Sequence, residues 1–169
     1  MRARMACLLV ASVAAFVPAA CGGDGKITDP QLLADLERVK KATAKYEDVK
    51  KALADGYKPA GQCSTSPNDD GAMGIHYNNE RLQRDSKIIL TKPEQLLYEP
   101  GPRGKRTLVG VEYYLTDLDQ APPEIPLGHL DGPMAGHAPG APSHFDLHVW
   151  LFKANPNGMF DVWNPDVRC

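Results

Sequence analysis

The stretch HFDLHVWLF, residues 144–152, alternates polar and apolar side chains along its first part. Side chains two residues apart on a β-strand point to the same face. In a strand, His144, Asp146 and His148 would share one face, and the Phe, Leu and Val residues between them would form an apolar face. Packing alone explains poorly a strand face that carries two imidazoles and a carboxylate. The pattern therefore predicts one wall of a metal or catalytic site.

Two further β segments each carry one side chain that can bind a metal. His76 lies in the segment 71–77, and Glu112 lies in the segment 105–116. Glu112 is a lone carboxylate on its face of the predicted strand, and burial of a carboxylate is costly unless it is paired or bound to a cation. We expect Gly110, two residues earlier, to leave space for an ion or a ligand.

Imidazole and carboxylate ligands together suit zinc, copper or ferrous iron. We predict His76, Glu112 and His148 as metal ligands, with His144 as a weaker candidate. On one strand the Cα atoms of His144 and His148 would lie about 13 Å apart, so the two cannot bind one ion without a bend. Water or a tyrosine would be the fourth ligand, and the candidate tyrosines are Tyr77, Tyr98, Tyr113 and Tyr114.

A structural role is the alternative for each of these residues. A single histidine in a strand can be a core or surface residue, and Glu112 could lie on a solvated sheet face. The set of three on separate β segments favours metal binding over these alternatives.

The segment that follows residue 29 predicts a helix. Asp29-Pro30 is a typical helix start, and Gly56 suits the position just past a helix end. Apolar side chains recur between them at steps of three and four, which predicts one amphipathic helix of about 25 residues. Its expected role is to cover one face of a sheet.

The rest of the chain has a β pattern. Residues 95–99 and 105–116 are separated by the turn sequence PGPRG, which predicts a hairpin. Residues 119–143 are rich in proline and can form neither a helix nor a central strand. We expect this loop to lie across the mouth of the site. The predicted fold class is α+β, with a long N-terminal helix packed on a mostly antiparallel β-sheet or partly closed barrel.

Residues 1–20 have the features of a secretory signal peptide. Arg2 and Arg4 supply a positive start, and the apolar run that follows is too short for a permanent membrane helix, which needs about 20 residues. Pro18-Ala19-Ala20-Cys21 resembles a bacterial lipoprotein processing site, which implies that Cys21 is lipidated. Ordinary cleavage near Ala19 or Ala20 is the alternative.

The predicted domain organisation assumes that this leader is removed. Residues 21–29 would form a flexible tether, and residues 30–169 a single metal-binding α+β domain. The expected location is the periplasm or the outer cell surface. The formal net charge is −2, and loss of the leader makes it more negative. This charge argues against nucleic acid, which favours a basic face, and against membrane contact other than through a lipid at Cys21.

Two cysteines remain once Cys7 is removed and Cys21 is set aside. In an oxidising compartment Cys63 and Cys169 most simply form a disulfide. Closure of a loop of roughly 100 residues stabilises a fold by about 4–5 kcal/mol in the chain-entropy model. A thiolate metal pair is the competing interpretation.

Several segments carry a resemblance to known proteins. They are MGIHY (73–77), PEQLLYE (93–99), VGVEY (109–113), LHVW (147–150), NPNGMF (155–160) and NP (164–165). Together they resemble a family of small exported bacterial proteins of unassigned function, over residues 54–169. The chain is also similar to the tyrzincins, small zinc proteins in which a tyrosine joins histidines and a glutamate around the ion. This similarity implies His76, Glu112 and His148 as the ligands and leaves the matching tyrosine open.

The expected function is the binding of a divalent transition metal, with zinc first and copper as the alternative. A metal-bound water of lowered pKa could support hydrolysis, so a metal-dependent hydrolase is the second interpretation. A non-catalytic interaction domain of the cell envelope is the third. No residue is singled out as catalytic.

Overall fold

The structure is a computed structural model and describes residues 27–136 and 140–169. The predicted signal peptide, Cys21 and most of the predicted tether lie outside these residues. Among the helices described, none is long and apolar enough to span a membrane. The elements are α1 (Pro30–Thr43), α2 (Val49–Ala54), β1 (Lys58–Thr65), β2 (Ala72–Asn78), α3 (Glu80–Arg84), β3 (Gln95–Pro100), β4 (Arg106–Thr116), β5 (Glu124–Ile125), β6 (Gly128–His129), β7 (Asp131–Met134) and β8 (His144–Val149).

Six of the strands form one antiparallel sheet in the order β1-β2-β3-β4-β8-β7. The sheet curves into a half-barrel, and helices pack against it. The predicted α+β class with a mostly antiparallel, partly closed sheet is therefore confirmed. The predicted hairpin is confirmed as well, because β3 and β4 are adjacent and antiparallel.

The prediction of one uninterrupted helix up to Gly56 is not confirmed. Helix α1 passes into a 3₁₀ turn, Ala44–Glu47, and Asp48 then has extended backbone with φ −86° and ψ 101°. The Asp48 carboxylate accepts a hydrogen bond from the backbone N–H of Lys50 and so caps α2. A side chain that can cap a new helix competes with helix continuity. Leu53, near the end of α2, is 48% exposed.

One face of the sheet is apolar and lies beneath the helices. Leu36 and Val39 of α1 belong to the same buried cluster as sheet residues of β2, β3, β4 and β8. The Tyr98 hydroxyl donates to the backbone carbonyl of Tyr46, which fixes the 3₁₀ turn to the sheet. Burial of each large apolar side chain contributes about 1.5–3 kcal/mol. The sheet members of this cluster are Ile75, Tyr77, Leu96, Tyr98, Leu108, Val111, Tyr113, Leu115, Phe145, Leu147 and Val149.

The proline-rich loop holds only short strands. β5 and β6 pair with each other, and β7 pairs with β8 at the edge of the main sheet. Pro133 lies in the edge strand β7. Proline has no backbone N–H to donate, and at this edge its absence costs no hydrogen bond between central strands. The prediction that this segment forms no helix and no central strand holds for its described residues. Residues 137–139 within it lie outside the described part.

The predicted disulfide is confirmed. Cys63 of β1 is bonded to Cys169, with Cα atoms 5.7 Å apart and a sequence separation of 106 residues. The bond ties the C-terminal residue to the edge strand β1. The thiolate metal pair is excluded, because both sulfurs are in the disulfide.

Candidate metal site

His76, Glu112 and His148 meet on the sheet face opposite the helices. Each offers one ligand atom, and these three atoms lie within 4.8 Å of one another. The Nε2 atoms of His76 and His148 are 3.1 Å and 3.7 Å from Oε2 of Glu112. Ligand atoms around a tetrahedral zinc are each about 2.0–2.2 Å from the ion, so small side-chain movements suffice to enclose one. The group could hold a metal ion.

Strand register places these side chains together. Glu112 of β4 is the direct partner of His148 on β8. On its other side Glu112 is the partner of Gln95, and β3 separates β4 from the strand that carries His76. Gln95, Glu112 and His148 are successive cross-strand partners and so project to one face; His76 joins them diagonally, because its own partner is Leu97, two residues along β3 from Gln95.

Gln95 is a functional residue that sequence reasoning missed. Its side-chain amide donates to Oε1 of Glu112 at 3.0 Å. That bond occupies one carboxylate oxygen and leaves Oε2 directed at the two imidazoles. Gln95 is buried at the start of β3, and a polar residue directly before Leu96 and Leu97 was the only signal available.

The site is buried and short of hydrogen bonds. His148 and Glu112 are each 1% exposed, and His76 is 9% exposed. Nε2 of His76, Oε2 of Glu112 and both ring nitrogens of His148 make no hydrogen bond of good geometry, although Nε2 of His76 and Oε2 of Glu112 are only 3.1 Å apart. Buried polar atoms are nearly always hydrogen-bonded, so a cluster of orphaned atoms needs an explanation. A bound cation supplies one for Oε2 of Glu112 and for Nε2 of each histidine, because each of these three atoms can donate a lone pair to it.

His76 and Glu112 each favour the charged form of the other. Burial is the largest influence on His76 and by itself would lower its pKa, but the charge and close contact of Glu112 together with the charge of Asp146 outweigh burial and raise this pKa. Burial by itself would raise the pKa of Glu112, but the neighbouring His148 and His76 outweigh it and lower this pKa. Glu112 is therefore ionised, which is the state that binds a metal, whereas His76 must give up its proton when an ion binds.

Asp146 is a second carboxylate behind the ligand group. Its Oδ1 atom lies 3.7 Å from Nδ1 of His148, on the side of the ring away from Glu112. Metal-bound histidines usually direct their second nitrogen at a carboxylate or carbonyl, which fixes the tautomer and the ring orientation. The sequence placed Asp146 on this face without a role, and the structure places it where it can orient His148.

His144, the weaker candidate, is not part of the three-residue group. Its Nε2 atom lies 3.5 Å from Oδ2 of Asp146, and its ring stacks on Tyr114 with centroids 4.7 Å apart. Burial would lower the pKa of His144, but its contact with Asp146 raises this pKa. His144 and His148 therefore lie on either side of Asp146, as the spacing along β8 requires.

The four candidate tyrosines lie on two different faces of the sheet. Tyr77, Tyr98 and Tyr113 lie on the apolar face beneath the helices. The Tyr113 hydroxyl donates to the carbonyl of Leu90, and that of Tyr98 is also occupied. Tyr114 projects to the same face as Glu112 and lines the cleft above the site.

The expected space beside Gly110 is filled by protein. A Cβ atom at this position would lie 2.9 Å from the carbonyl oxygen of Val149 and 3.4 Å from the Trp150 ring. The absent side chain therefore permits close packing of β4 against the end of β8, instead of leaving room for an ion.

A cleft of about 490 Å³ opens above the ligand group. His76 and Glu112 form part of its lining, whereas His148 lies behind them. The proline-rich loop borders the cleft through Gly136, Ala141 and Pro142, as expected for a loop across the mouth of the site. β1 borders the opposite side with residues 60–64.

We compared the chain with protein-family models, with curated proteins and with solved structures, and none of these comparisons found a match. The resemblance to small exported proteins and to tyrzincins stays a prediction.

Proposed function

We propose that this protein binds one divalent transition metal through His76, Glu112 and His148. The observation that carries the proposal is that these three buried side chains bring one ligand atom each within 4.8 Å of one another, while Nε2 of each histidine and Oε2 of Glu112 make no hydrogen bond of good geometry. Leaving a buried polar atom without a partner costs about 1–3 kcal/mol, and a divalent ion would satisfy several at once.

Zinc is the proposed ion, and copper is the alternative. Two imidazoles and one carboxylate are a common protein ligand set for zinc, with a fourth position taken by water or another ligand. No cysteine of the described residues joins the group, so the thiolate ligand that would favour copper(I) is absent from it. Tyr114 is the tyrosine whose position on the site face fits a fourth ligand or a hydrogen-bond partner for bound water.

Export to the periplasm or outer cell surface, with a lipid on Cys21, is the second part of the proposal. The charged and apolar leader of residues 1–20 supports it, and the Cys63–Cys169 disulfide is compatible with an oxidising compartment. Intact-mass analysis of membrane-extracted protein tests this part. A mature chain that begins at an acylated Cys21 is expected, and a chain that keeps residues 1–20 would refute it.

A metal-dependent hydrolase is the second candidate function. The cleft favours it, because two of the three ligand residues border a space that a substrate could enter. A zinc-bound water in such a position has a pKa lowered to about 7 and can act as a nucleophile.

Metal analysis of protein purified without added metal tests the binding proposal. We expect near-stoichiometric zinc in the unsubstituted chain and its loss in His148→Ala. The matched control is His144→Gln, which changes a histidine on the same strand and face and is expected to retain the metal. Absence of bound metal together with no measurable zinc affinity by calorimetry would refute the proposal.

A further inference from the structure

The cleft above the ligand group has an unusual lining, and this lining restricts what can bind there. Apart from His76, Glu112 and His144, its polar side chains are uncharged. No lysine or arginine among residues 27–136 and 140–169 borders it. The uncharged polar members are Gln62, Ser64, Asn78, Gln83, Gln95 and Tyr114.

The charge of the loaded site would favour a single negative charge on the ligand. A divalent ion and the Glu112 carboxylate, the acidic side chain of the lining, together carry one net positive charge, and Asp146 lies behind His148, outside the lining. A carboxylate matches this charge and offers the oxygen atom that zinc accepts. A phosphate dianion would bring a second charge, which in proteins is usually met by arginine, lysine or a helix N-terminus.

Asn78 adds a second requirement on the ligand. The residue lines this cleft, and its Oδ1 atom is buried and has no hydrogen-bond partner. A carbonyl oxygen accepts hydrogen bonds and cannot donate them, so the group that meets Asn78 must carry an N–H or O–H. A ligand that lacks such a group would leave the oxygen unpaired, which lowers affinity.

We infer that the cleft binds a small carboxylate that also carries an amide N–H or a hydroxyl, with the carboxylate on the metal and the N–H or O–H on Asn78. This inference rests on the proposed metal site and specifies its ligand. A volume of about 490 Å³ lies within the usual range for small-molecule sites, so molecules of the size of an acylated amino acid or a short peptide fit.

Cobalt(II) absorption gives a direct test, because the visible bands of Co²⁺ change when a new ligand enters its coordination shell. The full chain is loaded with Co²⁺ in place of zinc and titrated with N-acetylglycine, N-acetylsarcosine or methyl phosphate. N-acetylglycine has a carboxylate and an amide N–H, and N-acetylsarcosine differs by a methyl group on that nitrogen. We expect N-acetylglycine to change the bands with an affinity at least tenfold above that of the other two.

Asn78→Leu is the matched variant, because it removes the acceptor without altering a metal ligand. It is expected to bind Co²⁺ as before and to bind N-acetylglycine and N-acetylsarcosine equally. Equal affinities in the unsubstituted protein, tighter binding of methyl phosphate, or no band change with any probe would overturn the inference while Co²⁺ remains bound. Failure to bind Co²⁺ at all would instead overturn the metal site itself. The comparison of the two amides needs no variant, so it stands even if Asn78→Leu does not fold.

Discussion

Glu112 on β4 and His148 on β8 are direct cross-strand partners, and their Oε2 and Nε2 atoms lie 3.7 Å apart. The pair exists only in this register, because a shift of one residue would turn every side chain of β8 to the opposite face. The apolar residues 145, 147 and 149 then enforce the site, since they hold β8 with its histidines away from the helices. Packing on one face of the strand thus fixes chemistry on the other.

Asp146→Asn is expected to weaken zinc binding without abolishing it. The amide keeps the shape of the side chain but loses the negative charge that faces Nδ1 of His148. Loss of such a supporting carboxylate typically lowers metal affinity by about 10- to 100-fold. Competition calorimetry measures the change. Asp131→Asn is the control, because Asp131 is the exposed strand partner of Asp146; an equal effect of both variants would contradict the orienting role.

Gly110→Ala is expected to destabilise the domain by about 1–3 kcal/mol. The added Cβ would meet the Val149 carbonyl at 2.9 Å, so β4 and the end of β8 must separate slightly. Zinc affinity should fall too, because Glu112 and His148 lie on these two strands. Urea unfolding and zinc titration measure the two effects. Gly101→Ala, whose Cβ meets only the flexible side chain of exposed Lys105, should change neither; a Gly110→Ala variant as stable as the unsubstituted protein would refute the packing argument.

Removal of the disulfide is expected to lower the free energy of unfolding by about 2–5 kcal/mol. The chain between Cys63 and Cys169 is long, and the bond restricts the unfolded state most when the loop it closes is long. The double variant Cys63→Ser/Cys169→Ser, followed by urea denaturation, measures this loss. Zinc stoichiometry should not change, because neither cysteine belongs to the ligand group. A double variant that loses zinc while still folded would show that β1 helps to hold the site.

Glu94 is expected to make the fold less stable as the pH rises from about 5 to 8. Burial raises the pKa of Glu94 to about 8 from its ordinary value of 4.5. Between these values the folded state holds a proton that the unfolded state has lost, so unfolding becomes easier as the pH increases. The loss should be a few kcal/mol across that window, since each pKa unit corresponds to about 1.4 kcal/mol.

Glu94→Gln separates this contribution from those of other groups. A neutral amide retains an acceptor for the backbone N–H of Tyr114 and removes the titration. The variant should therefore match the unsubstituted protein near pH 5 and exceed its stability at pH 8, both measured by urea denaturation without metal. Glu37→Gln, an exposed change on α1, is the control. A constant difference between Glu94→Gln and the unsubstituted protein at all pH values would contradict the prediction.

Zinc itself is expected to stabilise the fold, because the ligand group exists only in the folded chain. At a free zinc concentration 1,000 times the dissociation constant, the gain is about 4 kcal/mol. Thermal unfolding with zinc and after treatment with a chelator measures it. The gain should vanish in Glu112→Gln, which keeps the hydrogen-bonding shape but loses the charge. An equal rise in melting temperature for this variant would indicate binding elsewhere.

Local pattern in the sequence predicted much of this protein. The alternation within residues 144–149 and 111–116 assigned each side chain to a face, because strand geometry has a period of two. It failed at residues 108–110, where an irregularity in the pairing of β3 with β4 places Leu108 in the same cluster as Val111. The proline-rich segment could be excluded from the helices and the sheet centre for backbone reasons alone. The cysteine pair followed from counting, once the leader was set aside.

Tertiary structure decided what those local signals left open. At Asp48 the chain could continue the helix or cap a new one, and the apolar periodicity is compatible with both. Packing against the sheet decides between them. Gln95 and Asp146 acquire their roles from strand partners that are distant in the sequence. Most of all, His76 meets Glu112 and His148 only in the strand order β2-β3-β4-β8. These residues are far apart along the chain, and they converge because burial of the opposite face sets both the register and the order of the strands.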